Sequence, residues 1–112
     1  MARAPKTPPI PADARAVLDR FETRGPVRSK PMFGGHGVWC EDRFVAIVFR
    51  GVLYLKVDAT TRPLFEAAGC TPFQMSADRP SRLAFYTLPA GLTAGSPGLD
   101  DWLDRAIAAA SR

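Results

Sequence analysis

The sequence predicts one small α+β domain built on an antiparallel meander over residues 32–57. Its 112 residues suffice for a single domain with a real core. Apolar residues make up 46% of the chain and charged residues 23%, which is ordinary globular usage and excludes a wholly disordered chain. Very short links join the strand-like segments, and such links permit only antiparallel neighbours because a parallel return needs a long crossover.

The chain opens with a proline-rich leader, followed by the first helix. Residues 1–11 hold four prolines, a composition that cannot build a core, so we expect a disordered leader before a single domain at 12–112. The helix begins near Ala12 or Asp13, where the Asp13 carboxylate can cap free N–H groups, and it ends at Gly25 and Pro26. Its apolar stripe, at helical spacing, consists of Ala14, Val17, Leu18 and Phe21.

Strand-like segments then follow at residues 27–33, 37–40, 44–49 and 52–57, with a fifth at 82–88. The third segment is apolar on both faces, which predicts a central strand covered on each side by helices or by a partner subunit. Pro80 and Pro89 bracket the fifth segment and predict an edge position.

Two more helices complete the prediction. One covers residues 61–68, with Asp58 or Thr60 as its N-cap and with inward-facing Leu64, Phe65 and Ala68. The last begins with Ser96 as N-cap and Pro97 in the first position, with two acids favoured by the helix dipole in its first turn, Asp100 and Asp101. Its core stripe comprises Leu99, Trp102, Leu103, Ala106, Ile107 and Ala110.

The positive charge is confined to the first part of the chain. The net charge is +4, and residues 1–30 hold seven Lys or Arg against three acids, whereas the rest is balanced at eight against eight. Direct nucleic-acid binding would therefore depend on a few cations near the first helix. These candidates are Arg15, Arg20, Arg24, Arg28 and Lys30.

No catalytic, cofactor-binding or metal-binding residues are predicted, so we expect no enzyme. The one histidine, His36, lies among glycines and lacks a nucleophile or ligand partner, which favours a histidine in a loop or at a strand edge. A phosphate cradle at these glycines is the alternative, although the P-loop spacing is missing and glycines that let the backbone bend or bulge as it enters a strand are more economical. Cys40 and Cys70 are expected to be buried free thiols.

Four aromatic residues in the meander could stack on nucleic-acid bases, but they lack interleaved Lys or Arg in the sequence and are interpreted as core. They are Phe33, Trp39, Phe44 and Tyr54. The chain has no apolar run long enough to span a bilayer and no signal-peptide core, which predicts a cytoplasmic protein.

Three segments together resemble the N-terminal domain of the TfoX/Sxy family of bacterial competence regulators. They are SKPMFGGHG at 29–37, LYLKVD at 53–58 followed by RPLFE at 62–66, and LAFYTLP at 83–89. The resemblance implies two layers, with a curved antiparallel sheet of about five strands and flanking helices, as in secretion-chaperone-like domains. Its signature or interaction residues are Met32, Phe33, Gly34, Gly35, Gly37, Tyr54, Lys56, Asp58 and Arg62.

The resemblance also implies a function. A non-enzymatic regulatory or adaptor domain is expected, without a cofactor, acting through contacts with an unidentified protein in transcriptional regulation and self-associating through its sheet as a homodimer. The alternative is direct nucleic-acid binding by the basic residues of the 15–30 region.

Overall fold

A five-stranded antiparallel meander forms the centre of the molecule. The computed structural model describes residues 9–32, 34–74 and 84–111, so most of the predicted leader, Phe33 and the start of the predicted fifth strand lie outside the described residues. The sheet has the strand order β1-β2-β3-β4-β5. Its strands are β1 Val27–Met32, β2 Gly35–Cys40, β3 Arg43–Phe49, β4 Val52–Lys56 and β5 Phe85–Thr87. The predicted α+β class and meander are confirmed.

The helices flank this sheet at the predicted places in the chain. They are α1 Ala12–Asp19, which continues into a 3₁₀ helix at Arg20–Arg24, then α2 Arg62–Ala67 and α3 Leu99–Ala110. Pro11 is the N-cap of α1, so Asp13 lies inside the helix, where its carboxylate accepts a hydrogen bond from the N–H of Ala14. The predicted apolar stripe is confirmed, because all four of its residues are buried.

The core lies between the sheet and the helices α1 and α3. Residues on one face of β2, β3 and β4 pack there; these are Val38, Ala46, Val48, Leu53 and Leu55. The strand β3 is the third of five, and its side chains from Val45 to Phe49 are all buried within one chain. The predicted central strand is therefore confirmed, and its residues from Val45 to Phe49 are buried without a partner subunit.

The strand β5 is the last in the sheet, as its flanking prolines predict. Its outer edge is closed in part by the chain after α2, since Phe73 donates its N–H to the carbonyl of Phe85 and Thr87 donates to the carbonyl of Thr71. This pairing satisfies backbone groups that an open edge would leave to other chains.

The predictions for α2 are correct only in part. Its N-cap is Thr61, whose hydroxyl accepts from the N–H of Asp58, while the Asp58 carboxylate accepts from the N–H groups of Thr60 and Thr61. Phe65 is fully buried, but Leu64 is 44% exposed and Ala68 is also exposed. The inward assignment of Leu64 and Ala68 is wrong because so short a helix presents only one position to the core.

The start of α3 also differs from its prediction. Gly98 is the N-cap, and the Ser96 hydroxyl instead accepts from the N–H of Thr93 in the preceding turn. Three predicted core residues of α3 are only half-buried, whereas Ala109 is buried; the half-buried residues are Trp102, Ile107 and Ala110.

Candidate interaction surface

The sheet face turned away from α1 and α3, here called the outer face, carries an unusual set of aromatic and cationic side chains. Antiparallel pairing places Arg28 beside Trp39 and Lys30 beside Gly37, so alternate residues of β1 share this face. The next strands add rings and a further cation to the same face, namely Phe44, Tyr54, Lys56 and Phe85.

Glycine at position 37 gives the Trp39 ring its place on the sheet. A Cβ at this position would lie 2.5 Å from the sulfur of Met32 and 2.8 Å from the Trp39 indole. The indole and the thioether therefore lie over the bare backbone of Gly37, where a larger residue would displace them. Gly35 has a related role, because a Cβ there would collide with the Val48 carbonyl on β3.

The rings form a connected layer across the strands. Trp39 stacks on Phe44 with 4.8 Å between ring centroids and 17° between their planes, and Phe44 contacts Phe85 at 5.0 Å. Trp39 and Phe44 are half-buried, while Phe85 is fully buried beside Ile47, Phe49 and Phe73. The aromatic side chains of this layer are therefore buried near β4 and β5 and partly exposed to solvent near β1.

Four cations lie against these rings. The Arg28 guanidinium is 5.4 Å and the Lys30 ammonium 5.9 Å from the Trp39 centroid, distances at which a cation is attracted to an aromatic face. Arg50 lies 5.0 Å from the Phe49 centroid, and Lys56 lies 5.2 Å from that of Phe85.

The interpretation of these aromatic residues as core is confirmed in part, because Phe44 and Tyr54 are half-buried and pack against a buried cluster. Trp39 differs, because its ring lies beside Arg28 and Lys30. The interleaved charges come from neighbouring strands, where sequence spacing does not reveal them. A usable signal was the alternation of Arg28, Lys30 and Met32, which assigns all three to one face of a strand. Arg50 was missed because it lies in the turn before β4.

The predicted signature residues separate into two groups. Most lie on or under the outer face: Met32, Gly35, Gly37, Tyr54 and Lys56. Gly34 occupies the turn between β1 and β2 with a φ of 81°, a backbone conformation that favours glycine. Asp58 and Arg62 lie at the corner between β4 and α2, away from the rings, and Phe33 lies outside the described residues.

The predicted nucleic-acid contacts are not equivalent either. The Arg20 guanidinium donates to the Asp100 carboxylate at 2.9 Å and to the Ala94 carbonyl at 2.7 Å, and Arg24 pairs with Asp104. These two arginines tie the 3₁₀ helix to the first turn of α3. Arg15 is exposed on α1, whereas Arg28 and Lys30 are exposed on β1. The five cations therefore do not form one surface.

Histidine 36 and the two cysteines belong to the structure of the sheet and core. His36 pairs with Pro31 and Val48 inside β2, so its assignment to a loop is wrong. The register between β2 and β3 shifts at Val38 and Trp39, where β3 carries the extra residue Val45, rather than at the glycines. Both cysteines are buried free thiols, as predicted. Burial raises the pKa of each thiol.

Within the described ranges, no three His, Cys, Asp or Glu side chains are grouped closely enough to hold a metal ion. The helices in these ranges are all too short or too polar to cross a membrane.

The sequence profile described as the TfoX N-terminal domain matches residues 19–110, most of the chain. A search of curated proteins finds no match.

Proposed function

The chain belongs to the TfoX N-terminal domain family, and we propose that it is a non-enzymatic regulatory or adaptor domain acting through protein–protein contacts in transcriptional regulation. The family match supports a regulatory kind of domain. The proposal includes a cytoplasmic location, because bacterial transcription takes place there.

The observation that carries this proposal is the second apolar side of α2. Phe65 occupies the core, yet Leu64 is 44% exposed and the adjacent Ala67 and Ala68 are exposed as well. A helix that is apolar on two sides has one more apolar side than its own domain covers, and exposed apolar surface of this kind is typical of protein contacts. Trp102 of α3 lies next to it, half-buried and packed edge-on against Phe65 at 4.8 Å.

We propose that a second copy of the chain uses the same surface. The resemblance implies self-association through the sheet, and the residues from Val45 to Phe49 of the central strand β3 are already buried within one chain. The apolar side of α2, defined by Leu64, Ala67 and Ala68, offers an exposed surface for self-association.

A pair of matched variants tests both parts of the proposal. Leu64→Asp places a charge on the α2 surface, and Val52→Asp places one on a comparably exposed residue, 41%, at the start of β4. Light scattering is expected to find dimers for the wild type and Val52→Asp but monomers for Leu64→Asp. Capture from the native cell should lose the regulatory partner only with Leu64→Asp. Three proteins of equal melting temperature that behave identically in both assays would contradict the proposal.

A further inference from the structure

We propose that the outer face of the sheet near β1 and β2 binds single-stranded nucleic acid, with Trp39 stacking on a base and Arg28 and Lys30 holding phosphates. This goes beyond the proposed protein contacts, which use α2 in the helical layer. The two sites are on different parts of the molecule and can be inactivated separately.

The first argument is the partial exposure of the Trp39 ring and the contacts that hold it in place. It is half-buried, stacked on Phe44 at 4.8 Å, and supported underneath by the bare backbone of Gly37. A flat, preorganised ring that still reaches solvent can stack on any base, and such stacking is the common element of single-strand binding surfaces.

The second argument is the placement of charge. Arg28 and Lys30 are exposed, lie two residues apart on one strand and therefore about 7 Å apart along it, and both flank the Trp39 ring. Two acids lie nearby: Asp42 pairs with Arg28 at 3.3 Å where both side chains are largely exposed, and Glu41 pairs with Arg43. Such a pair is weak and is readily exchanged for a phosphate.

The third argument is the extent of the surface. Lys56 on β4 continues the row of Arg28 and Trp39 across the sheet, over the buried ring of Phe85, whereas Arg50 lies at the opposite end of the sheet, in the turn between β3 and β4. A strand crossing the sheet would thus stack near β1 and make phosphate contacts along its further course. An acidic peptide could pair with these cations through its carboxylates, but it does not present a planar ring beside every charge as a single strand does, and the bases of a duplex are already stacked on one another.

The test uses Trp102→Phe, which leaves Trp39 as the only tryptophan. Its emission is titrated with an oligothymidylate of about fifteen nucleotides, a length in the range of single-strand sites. Quenching by the oligonucleotide, but not by its duplex or by polyglutamate, is the expected result. An unchanged Trp39 emission at low salt, or equal quenching by polyglutamate, would overturn the proposal.

Variants then assign the contacts through the anisotropy of a labelled oligonucleotide. Trp39→Leu is expected to weaken binding about tenfold or more, while Trp39→Phe keeps most of it. Lys30→Gln should make the slope of log affinity against log salt shallower by about 0.7, the value for one phosphate contact on a single strand. Arg15→Gln, an exposed cation on α1, serves as the control and should change neither quantity. If Arg15→Gln changed the affinity and the salt slope as much as Lys30→Gln does, the assignment of the phosphate contact to Lys30 would be overturned.

Discussion

The two faces of the sheet differ in chemistry as well as in exposure. The inner face is built from aliphatic side chains such as Val38 and Leu55, which are fully buried under α1 and α3. The outer face near β1 is built from rings and cations, with Trp39 and Phe44 only half-buried. Aliphatic packing stabilises a fold without directional contacts, whereas exposed rings beside cations offer stacking and charge to another molecule. We therefore assign stability to the inner face and contact to the outer one.

The largest expected effect is on the inner side. Leu103→Ala removes a fully buried side chain of α3 and should lower the free energy of unfolding by about 2 to 5 kcal/mol, because the cavity closes only in part. Chemical denaturation measures this loss. Leu64→Ala, on a helix but 44% exposed, is the control and should cost much less. Equal losses at the two positions would contradict the assignment of the core.

A smaller effect is expected where the outer face depends on a missing side chain. Gly37→Ala would place its Cβ against Met32 and the Trp39 ring, and overpacking of this kind costs about 1 to 3 kcal/mol. Denaturation gives the cost, and the emission of Trp39 in the Trp102→Phe background reports the ring's displacement. Gly95→Ala, whose Cβ would meet open space, should change neither. An unaltered Trp39 emission in Gly37→Ala would show that the indole does not lie over residue 37.

The smallest effect in this series concerns alkaline pH. Burial raises the pKa of Cys40 and Cys70, and a hydrogen bond from the Tyr86 hydroxyl to Glu66, followed by burial, raises that of Tyr86. The folded state therefore favours the protonated forms. The stability that these protonated groups give to the folded state is complete below the ordinary cysteine pKa of 9.0. It declines as the pH rises above that value. The urea concentration at the unfolding midpoint should fall as the pH rises above about 9, and it should fall less steeply for Tyr86→Phe. A midpoint that stays constant to pH 11 would contradict the link between these pKa values and stability.

Patterns with a local cause could be predicted from the sequence. The α1 stripe follows from helical spacing, and the central position of β3 follows from apolar residues on both its faces. The position of Leu64 could not be predicted in this way, because helix length decides how many apolar positions reach the core. Ser96 resembles an N-cap in sequence, yet its hydroxyl accepts from Thr93 in the turn before α3.

The outer face was the least accessible to sequence reasoning. Its cations and rings come together only because of the way in which the strands pair. The register of β1 and β2 places Arg28 opposite Trp39, on either side of the turn at Gly34. The expectation that the glycines let the backbone bend or bulge is confirmed for the bend, which lies at Gly34, whereas the register shift lies further along β2. Gly37 supports the Trp39 ring, and Gly35 permits close approach to β3.

The most direct measurement is quenching of Trp39 by small ions in the Trp102→Phe protein. A half-buried indole between Arg28 and Lys30 should be quenched by iodide far more strongly than by caesium, since the cations concentrate anions and repel cations. The variant carrying Arg28→Gln and Lys30→Gln should lose this difference. Equal quenching by the two ions, or no quenching by either, would contradict an open aromatic surface flanked by positive charge.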